Sequence, residues 1–296
     1  MDALYLIGGS GFIGKNLVKH LHEYYDIYVY DKYIDKIYFN QYPDVFTFEM
    51  DLVTNRIKDD VPSPKYIINL ASIVTAERNL SLFNELISAN LKILLNLYER
   101  FKGESQLKLF IQFGSSEEYG SIGSPFKEES REYPNSPYAL IKQLTTNTCL
   151  MLERNYDFPA TVIRPGNLFG FGQNKSKFIP YVIEQLVNNV PLNVSPCEQK
   201  RDFIYVDDFV LKLRSLLENY SKCIGEIINV SSGYSISLKE IIELYKKELG
   251  STSKINYGAI PYRENEVMDL KCNIEKLNQI LAESKLKNRL LDYLKI

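Results

Sequence analysis

A phenol and an amine one helical turn apart, Tyr138 and Lys142, are the groups in this sequence best suited to moving a proton. They begin a segment that follows Pro134 and Pro137, and i, i+4 spacing puts both on one face of a helix. A free tyrosine has a pKa of about 10, so a base working near neutrality needs a shift of roughly three units, or about 4 kcal/mol. Neighbouring positive charge favours the phenolate and can supply that shift. Tyr98 and Lys102 repeat the spacing, but they close a helical stretch and precede no ligand loop, so that pair reads as structural. Tyr138 differs in company. The segment Phe113-Gly114-Ser115-Ser116-Glu117-Glu118-Tyr119-Gly120 leaves the end of an expected strand, where a serine hydroxyl can hold a substrate oxygen while the phenol moves its proton.

A second constellation lies at the start of the chain. The apolar run Ala3–Ile7 passes directly into Gly8-Gly9-Ser10-Gly11-Phe12-Ile13-Gly14 and then into an amphipathic helix. Glycines at 8, 11 and 14 permit a tight turn and close backbone approach to a pyrophosphate, and the helix N-terminus offers free N–H groups to the anion. A glycine triplet alone is weak; between first strand and first helix it has the context this chemistry requires. The second expected strand ends at Asp31, whose carboxylate can accept both hydroxyls of an adenosine ribose and would repel a 2′-phosphate. That favours NAD over NADP.

The elements that must position these groups alternate. Ala3–Ile7, Ile27–Tyr30, Val45–Glu49, Tyr66–Leu70, Leu107–Phe113 and Ala160–Arg164 read as strands, with helical patterns over Phe12–His22, Leu80–Phe101 and Tyr138–Tyr156. Such alternation predicts an α/β protein with a doubly wound parallel sheet, and open sheets of this kind bind ligands at the carboxyl ends of their strands. After Pro165 the rhythm breaks into glycine- and proline-punctuated loops. Phe203–Tyr205 and Ile227–Val230 read as strands, and Ile179–Asn189, Val206–Tyr220, Leu238–Leu249 and the segment after Asn273 as helices. The expected division is a dinucleotide-binding domain over 1–170, with 203–230 returning to it, and a smaller C-terminal α/β substrate lobe from 171–202 and 231–296.

Composition narrows the remaining possibilities. Thirty-five basic against 37 acidic residues in 296 leave no basic footprint for a nucleic-acid partner. No apolar run approaches the roughly 20 residues that span a bilayer, and the N-terminus lacks a basic leader, so the expected address is cytoplasmic. The four cysteines form no C-x-x-C pair, and the only histidines, His20 and His22, point to different helical faces. This argues against a zinc site or a Cys/His nucleophile.

The glycine loop, Asp31, Asn69-Leu70-Ala71-Ser72, the Ser115 loop, Tyr138/Lys142 and Arg164-Pro165-Gly166-Asn167, taken in order, resemble the extended short-chain dehydrogenase/reductase family. Arg201-Asp202-Phe203-Ile204-Tyr205-Val206-Asp207-Asp208 and Asn229-Val230-Ser231-Ser232-Gly233 look like its branch acting on nucleotide sugars, and the likeness runs from Gly8 to roughly Asp269. The resemblance implies a Rossmann-type fold and NAD contacts at Gly8, Gly11, Phe12, Ile13, Asp31, Asp51, Leu52, Leu70, Ala71, Asn90, Tyr138 and Lys142. It implies substrate contacts at Ser115, Ser116, Asn167, Arg201 and Arg263, the arginines being suited to a diphosphate; a surface ion pair is the alternative for each. Ser195-Pro196-Cys197-Glu198-Gln199-Lys200 replaces the family's Gly-rich turn, so no base specificity carries across.

The family's shared step is oxidation at sugar C4. Tyr138 takes the hydroxyl proton, Ser115 holds the oxygen, and Lys142 holds the nicotinamide ribose and lowers the Tyr138 pKa. Returning hydride to the other face gives a 4-epimer, eliminating water across C5–C6 a 4,6-dehydratase product, and losing CO₂ a pentose. A single redox step with exchangeable NAD(P)H makes a 4-keto reductase. Glu117, two positions after Ser115, resembles the acid or base of dehydratases and decarboxylases, and reads equally as a solvated loop carboxylate. Chain length favours epimerases and reductases, and Asp31 disfavours NADPH; epimerase is ranked first. A non-catalytic dinucleotide-binding module would be expected to lose Tyr, Lys or Ser from the triad, and all three are kept. The resemblance further implies bacterial surface-polysaccharide synthesis and a homodimer joined through the helices bearing Asn90 and Tyr138, with Leu91, Leu94, Leu95, Leu144 and Leu150 as candidates for the seam or the core.

Overall fold

In the computed structural model, which describes residues 1–75, 77–282 and 289–295, the first half follows the expected alternation. β1 (Ala3–Ile7), α1 (Phe12–Leu21), β2 (Asp26–Asp31), the single turn α2 (Lys36–Phe39), β3 (Phe46–Glu49) and β4 (Tyr66–Asn69) come first. They are followed by α3 (Phe83–Ile87), α4 (Ile93–Phe101), β5 (Leu109–Phe113), α5 (Pro137–Tyr156) and β6 (Ala160–Pro165). The second half holds β7 (Asn167–Phe169), α6 (Phe178–Val187), β8 (Leu192–Val194), β9 (Lys200–Tyr205) and α7 (Val206–Glu218). It ends with β10 (Ile227–Val230), β11 (Ser235–Ser237), α8 (Leu238–Glu248), β12 (Ile255–Tyr257), β13 (Asp269–Leu270) and α9 (Glu275–Leu281).

Seven parallel strands form the main sheet in the order β10-β6-β5-β4-β1-β2-β3. Side chains alternate across each strand, so Leu4 and Leu6 of β1 enter the core under α1 and α7, whereas Ala3, Tyr5 and Ile7 enter the core under α4 and α5. Both faces are covered, which is why these strands are almost continuously apolar. The order reverses between β1 and β4, and the loops leaving these two strands part to open a crevice at their carboxyl ends.

Three features depart from the sequence-based expectation. The helix expected over Leu80–Phe101 is broken: a 3₁₀ turn at Leu80–Leu82 precedes α3, and a π-helical turn at Ser88–Lys92 separates α3 from α4. Hydrophobic period cannot register one inserted residue, and the Asn90 side chain, donating to the Leu86 carbonyl at 2.8 Å, sits in that insertion. The segment 203–230 divides: α7 and β10 join the main sheet, whereas β9 centres a small separate sheet with β7, β11 and β13. β8 and β12 pair alone; strands of two or three residues carry too little periodicity to be read in advance. Of the segment after Asn273, α9 is helical and 283–288 lie outside the described residues.

Candidate active site

The glycine loop folds as its composition demands. Gly8 adopts φ +73°, and a Cβ there would lie 2.7 Å from the Ala71 backbone, so β1 and β4 can come this close only with glycine. A Cβ on Gly14 would strike the Gly9 backbone at 2.3 Å, whereas one on Gly11 would meet nothing nearer than 3.7 Å. Position 11 is therefore open on the crevice side, free for a ligand to approach. The crevice encloses about 1020 Å³, at the upper end of the range for cofactor sites. Gly8, Gly11, Phe12, Ile13, Asp31, Asp51, Leu52, Leu70 and Ala71 all line it.

Asp31 braces the loop it faces. Its Oδ2 accepts the Ser10 N–H at 2.9 Å and its Oδ1 the Tyr33 N–H at 3.2 Å. A carboxylate offers about four lone-pair sites, so each oxygen keeps one for a ribose hydroxyl. Asp51, hydrogen-bonded to the Val53 N–H and salt-bridged to Lys32 at 3.3 Å, is held below the usual carboxylate range, the Val53 contact contributing most. Glycine clearance, ribose acceptor and volume together fit a dinucleotide.

The remaining expected cofactor residues lie deeper. Asn90 is fully buried, and its Oδ1 accepts the Ser72 hydroxyl at 2.9 Å. Tyr138 is 5% exposed, its phenol is close enough to the side chains of Ser115 and Ser72 for both to favour its ionised form, and Ser72 lines the crevice. Ser115 Oγ also accepts the Glu117 N–H at 3.2 Å, capping the 3₁₀ turn Ser116–Tyr119 that follows β5. Phenol, serine and crevice therefore meet at one point.

Lys142 lies on the same face of α5 as Tyr138. Its ammonium donates to the Phe113 carbonyl at 2.8 Å, and burial pulls its pKa down to about 8, with Glu118 pulling the other way. The phenol is not pre-acidified. Burial raises its pKa, as does the Glu117 charge, and the hydrogen bonds from Ser115 and Ser72 oppose them. The Lys142 ammonium lies 6.0 Å from the centroid of the Tyr138 ring, and further positive charge in the site would favour the phenolate. Tyr98 and Lys102 form no such site: Lys102 pairs with Glu99 at 2.6 Å, and Tyr98 packs on Tyr156 and Phe158.

Glu117 lies in the 3₁₀ turn after Ser115 and is exposed. Desolvation by the surrounding protein pushes its carboxyl above the usual range, against the charges of Arg263, Arg201, Arg78 and Lys177 in that order. Two of these cations, Arg263 and Arg201, were expected from the sequence; Arg78 and Lys177 were not. Arg78 lies in the loop after β4 and donates to the Asn135 carbonyl just ahead of α5, a contact between distant segments that leaves no local pattern. Arg201 pairs with Glu266 and donates to the Lys200 and Val267 carbonyls at 2.7 Å each. Its ion pair thus exists before any ligand arrives, and ties β9 to the loop carrying the exposed Arg263. The Asn167 side-chain nitrogen is buried without a partner among the described residues, and Ser116 is buried at the head of the 3₁₀ turn.

The profile of the NAD dependent epimerase/dehydratase family matches residues 4–231 of the chain. A CDP-abequose synthase of Salmonella muenchen is 33% identical over 153 residues, 52% of this chain and 52% of that protein. A dTDP-4-dehydro-6-deoxyglucose reductase of Escherichia coli is 26% identical over 273 residues, 86% of this chain and 84% of that one. Among solved structures, UDP-glucuronic acid 4-epimerase from Bacillus cereus in complex with UDP-glucuronic acid and NAD superposes with a TM-score of 0.90 at 22% identity, covering 99% of this chain and 96% of the other.

Proposed function

Because this chain belongs to the NAD dependent epimerase/dehydratase family, whose members are NAD-using enzymes acting on nucleotide sugars, we propose that it is a nucleotide-sugar 4-epimerase working through a transient 4-keto sugar. The carrying observation is the meeting of the Tyr138 phenol with the Ser115 and Ser72 hydroxyls at the inner end of a crevice whose far end presents Asp31. Asp31 disfavours a 2′-phosphate, so the coenzyme is NAD, and an epimerase regenerates its own NAD within each turnover.

When bound, NAD supplies a hydride acceptor at the sugar carbon and, in its oxidised form, the positive charge that favours phenolate. The chain's residues do the rest. Ser115 holds the C4 oxygen, and Tyr138 takes its proton and later returns it. Lys142 orients the nicotinamide ribose from its anchor on the Phe113 carbonyl. Asn90, through Ser72, fixes the wall beside the phenol. Arg263, Arg201, Arg78 and Lys177 gather positive charge where a diphosphate would lie, and the unpartnered Asn167 amide is a ready donor to it.

Glu117 favours a second reading, 4,6-dehydration, because its charge reaches the phenol and its raised pKa suits proton transfer. Elimination of water needs a base at C5 and an acid at the C6 hydroxyl, however, and Ser116 beside it supplies no second ionisable group. The names of the two curated relatives favour a third reading, a keto-sugar reductase, which would need exchangeable NAD(P)H. The purified protein is incubated with UDP-, GDP-, CDP- and dTDP-sugars without added cofactor, and products are read by mass and NMR. An isomer of the substrate is expected. Loss of 18 mass units would replace the proposal with dehydration, and turnover only with NAD(P)H and a 4-keto sugar would replace it with reduction. We further propose that the protein works in the cytoplasm, as a homodimer joined through α4 and α5.

A further inference from the structure

We propose that the buried ion pair between Glu118 and Arg164 is a positioning device that sets the Ser115 hydroxyl against the Tyr138 phenol. This rests on the role given to Ser115 above, but not on which sugar is turned over.

Ser115 and Glu118 form a capping box around the 3₁₀ turn: Ser115 Oγ receives a backbone N–H, and Glu118 Oε1 receives the Ser115 N–H at 2.7 Å. In most capping boxes the acid sits in water. Here Glu118 has no exposed surface, and its Oε2 accepts both Nε and Nη2 of Arg164 at 2.9 and 2.6 Å. Arg164, equally buried on β6, extends the clamp. Its Nη2 also donates to Glu132 at 2.6 Å, and Glu132 accepts from Gln143 at 3.3 Å, the neighbour of Lys142 on α5. Its guanidinium lies 4.5 Å over the Tyr119 ring, whose hydroxyl is fixed on Asn229 at 2.8 Å.

One guanidinium thus joins three parts: the turn bearing Ser115, the strand behind it, and the helix bearing Tyr138 and Lys142. The fit leaves no slack, since a Cβ on Gly114 would come 2.5 Å from Glu118 Oε1. A buried ion pair is a poor device for stability alone, because apolar residues of like volume commonly do as well or better. What it adds is a fixed direction. A four-residue turn at a strand end has little else to hold the orientation of its first hydroxyl.

The test uses the full chain. A single substitution would strand a buried charge and endanger folding, so Glu118→Leu is combined with Arg164→Met. Hydrogen exchange followed by mass spectrometry should show peptides covering 114–119 exchanging at least about tenfold faster, with β5 and β6 unchanged. With the sugar nucleotide turned over by wild type, kcat should fall on the order of 10²-fold at nearly constant KM. The same pair placed in a Ser115→Ala background should cause no further loss, because the hydroxyl being positioned is gone. Glu118→Gln with Arg164→Met restores the acceptor for the Ser115 N–H and should recover both protection and most of kcat. Unchanged exchange at 114–119, or losses that multiply with Ser115→Ala, would overturn the proposal. A wild type that turns over no nucleotide sugar would sink the epimerase reading, while the exchange result would still decide this one.

Discussion

At the scale of single residues, the site is a set of polar groups whose ionisation is governed by burial. Lys142 shows this most simply. Its folded pKa of about 8 lies below the ordinary 10.5, so below about pH 8 the ammonium is charged in both states and its burial opposes folding by about 3 kcal/mol. Between about 8 and 10.5 the unfolded chain binds the proton that the folded chain has released, and the opposition fades. Lys142→Met should therefore gain stability relative to wild type by about 2 kcal/mol more at pH 7 than at pH 10 in urea unfolding. A stability difference that does not vary with pH would show the amine to be unburied. Asp31 carries the proposed choice of coenzyme. Asp31→Asn keeps the shape and removes the charge, so NAD should bind about tenfold more weakly while NADP binds no worse, as read by calorimetry. Equal losses for both would end the ribose assignment.

At the scale of elements, the crevice exists because β1 and β4 release their loops on opposite sides of the reversal in strand order. The first five strands were legible as short apolar runs, and the helices at 12, 137 and 206 as longer helical patterns between or after them. The glycine loop was legible because steric need leaves only glycine at Gly8 and Gly14. The π turn at Ser88–Lys92 was not, since a hydrophobic period cannot register one inserted residue, and the pairing of β9 in the small sheet and the places of Arg78 and Lys177 were not, since these depend on contacts between distant segments. Spacing shows that Tyr138 and Lys142 share a helical face, but not that the Lys142 ammonium also donates to the Phe113 carbonyl. Gly14→Ala tests the loop itself. The added methyl must push α1 off the Gly9 backbone, which should cost about 1–3 kcal/mol and abolish NAD binding. Full binding by a stable Gly14→Ala variant would contradict the packing described.

At the scale of the whole molecule, the proposed function has the two halves divide the ligand. In the proposed function the main sheet would present glycine, Asp31 and hydroxyl groups to a dinucleotide, and the small sheet would bring Arg201 and the loop of Arg263 to the diphosphate of the sugar. The proposed dimer surface also needed the structure to define it. Leu94 and Leu150 pack into the core, whereas Leu95 and Leu144 are exposed, with Leu140 one turn before Leu144 on the same face of α5. Sedimentation equilibrium should find a dimer for wild type and a monomer for Leu144→Glu; a dimer unaffected by that charge would place the seam elsewhere. The central claim, that one phenol moves the sugar proton while NAD takes the hydride, is tested most directly by Tyr138→Phe. With the substrate identified by the nucleotide-sugar screen, the variant should bind NAD as wild type does and lose at least about 10³-fold in kcat. Turnover at the wild-type rate would contradict it.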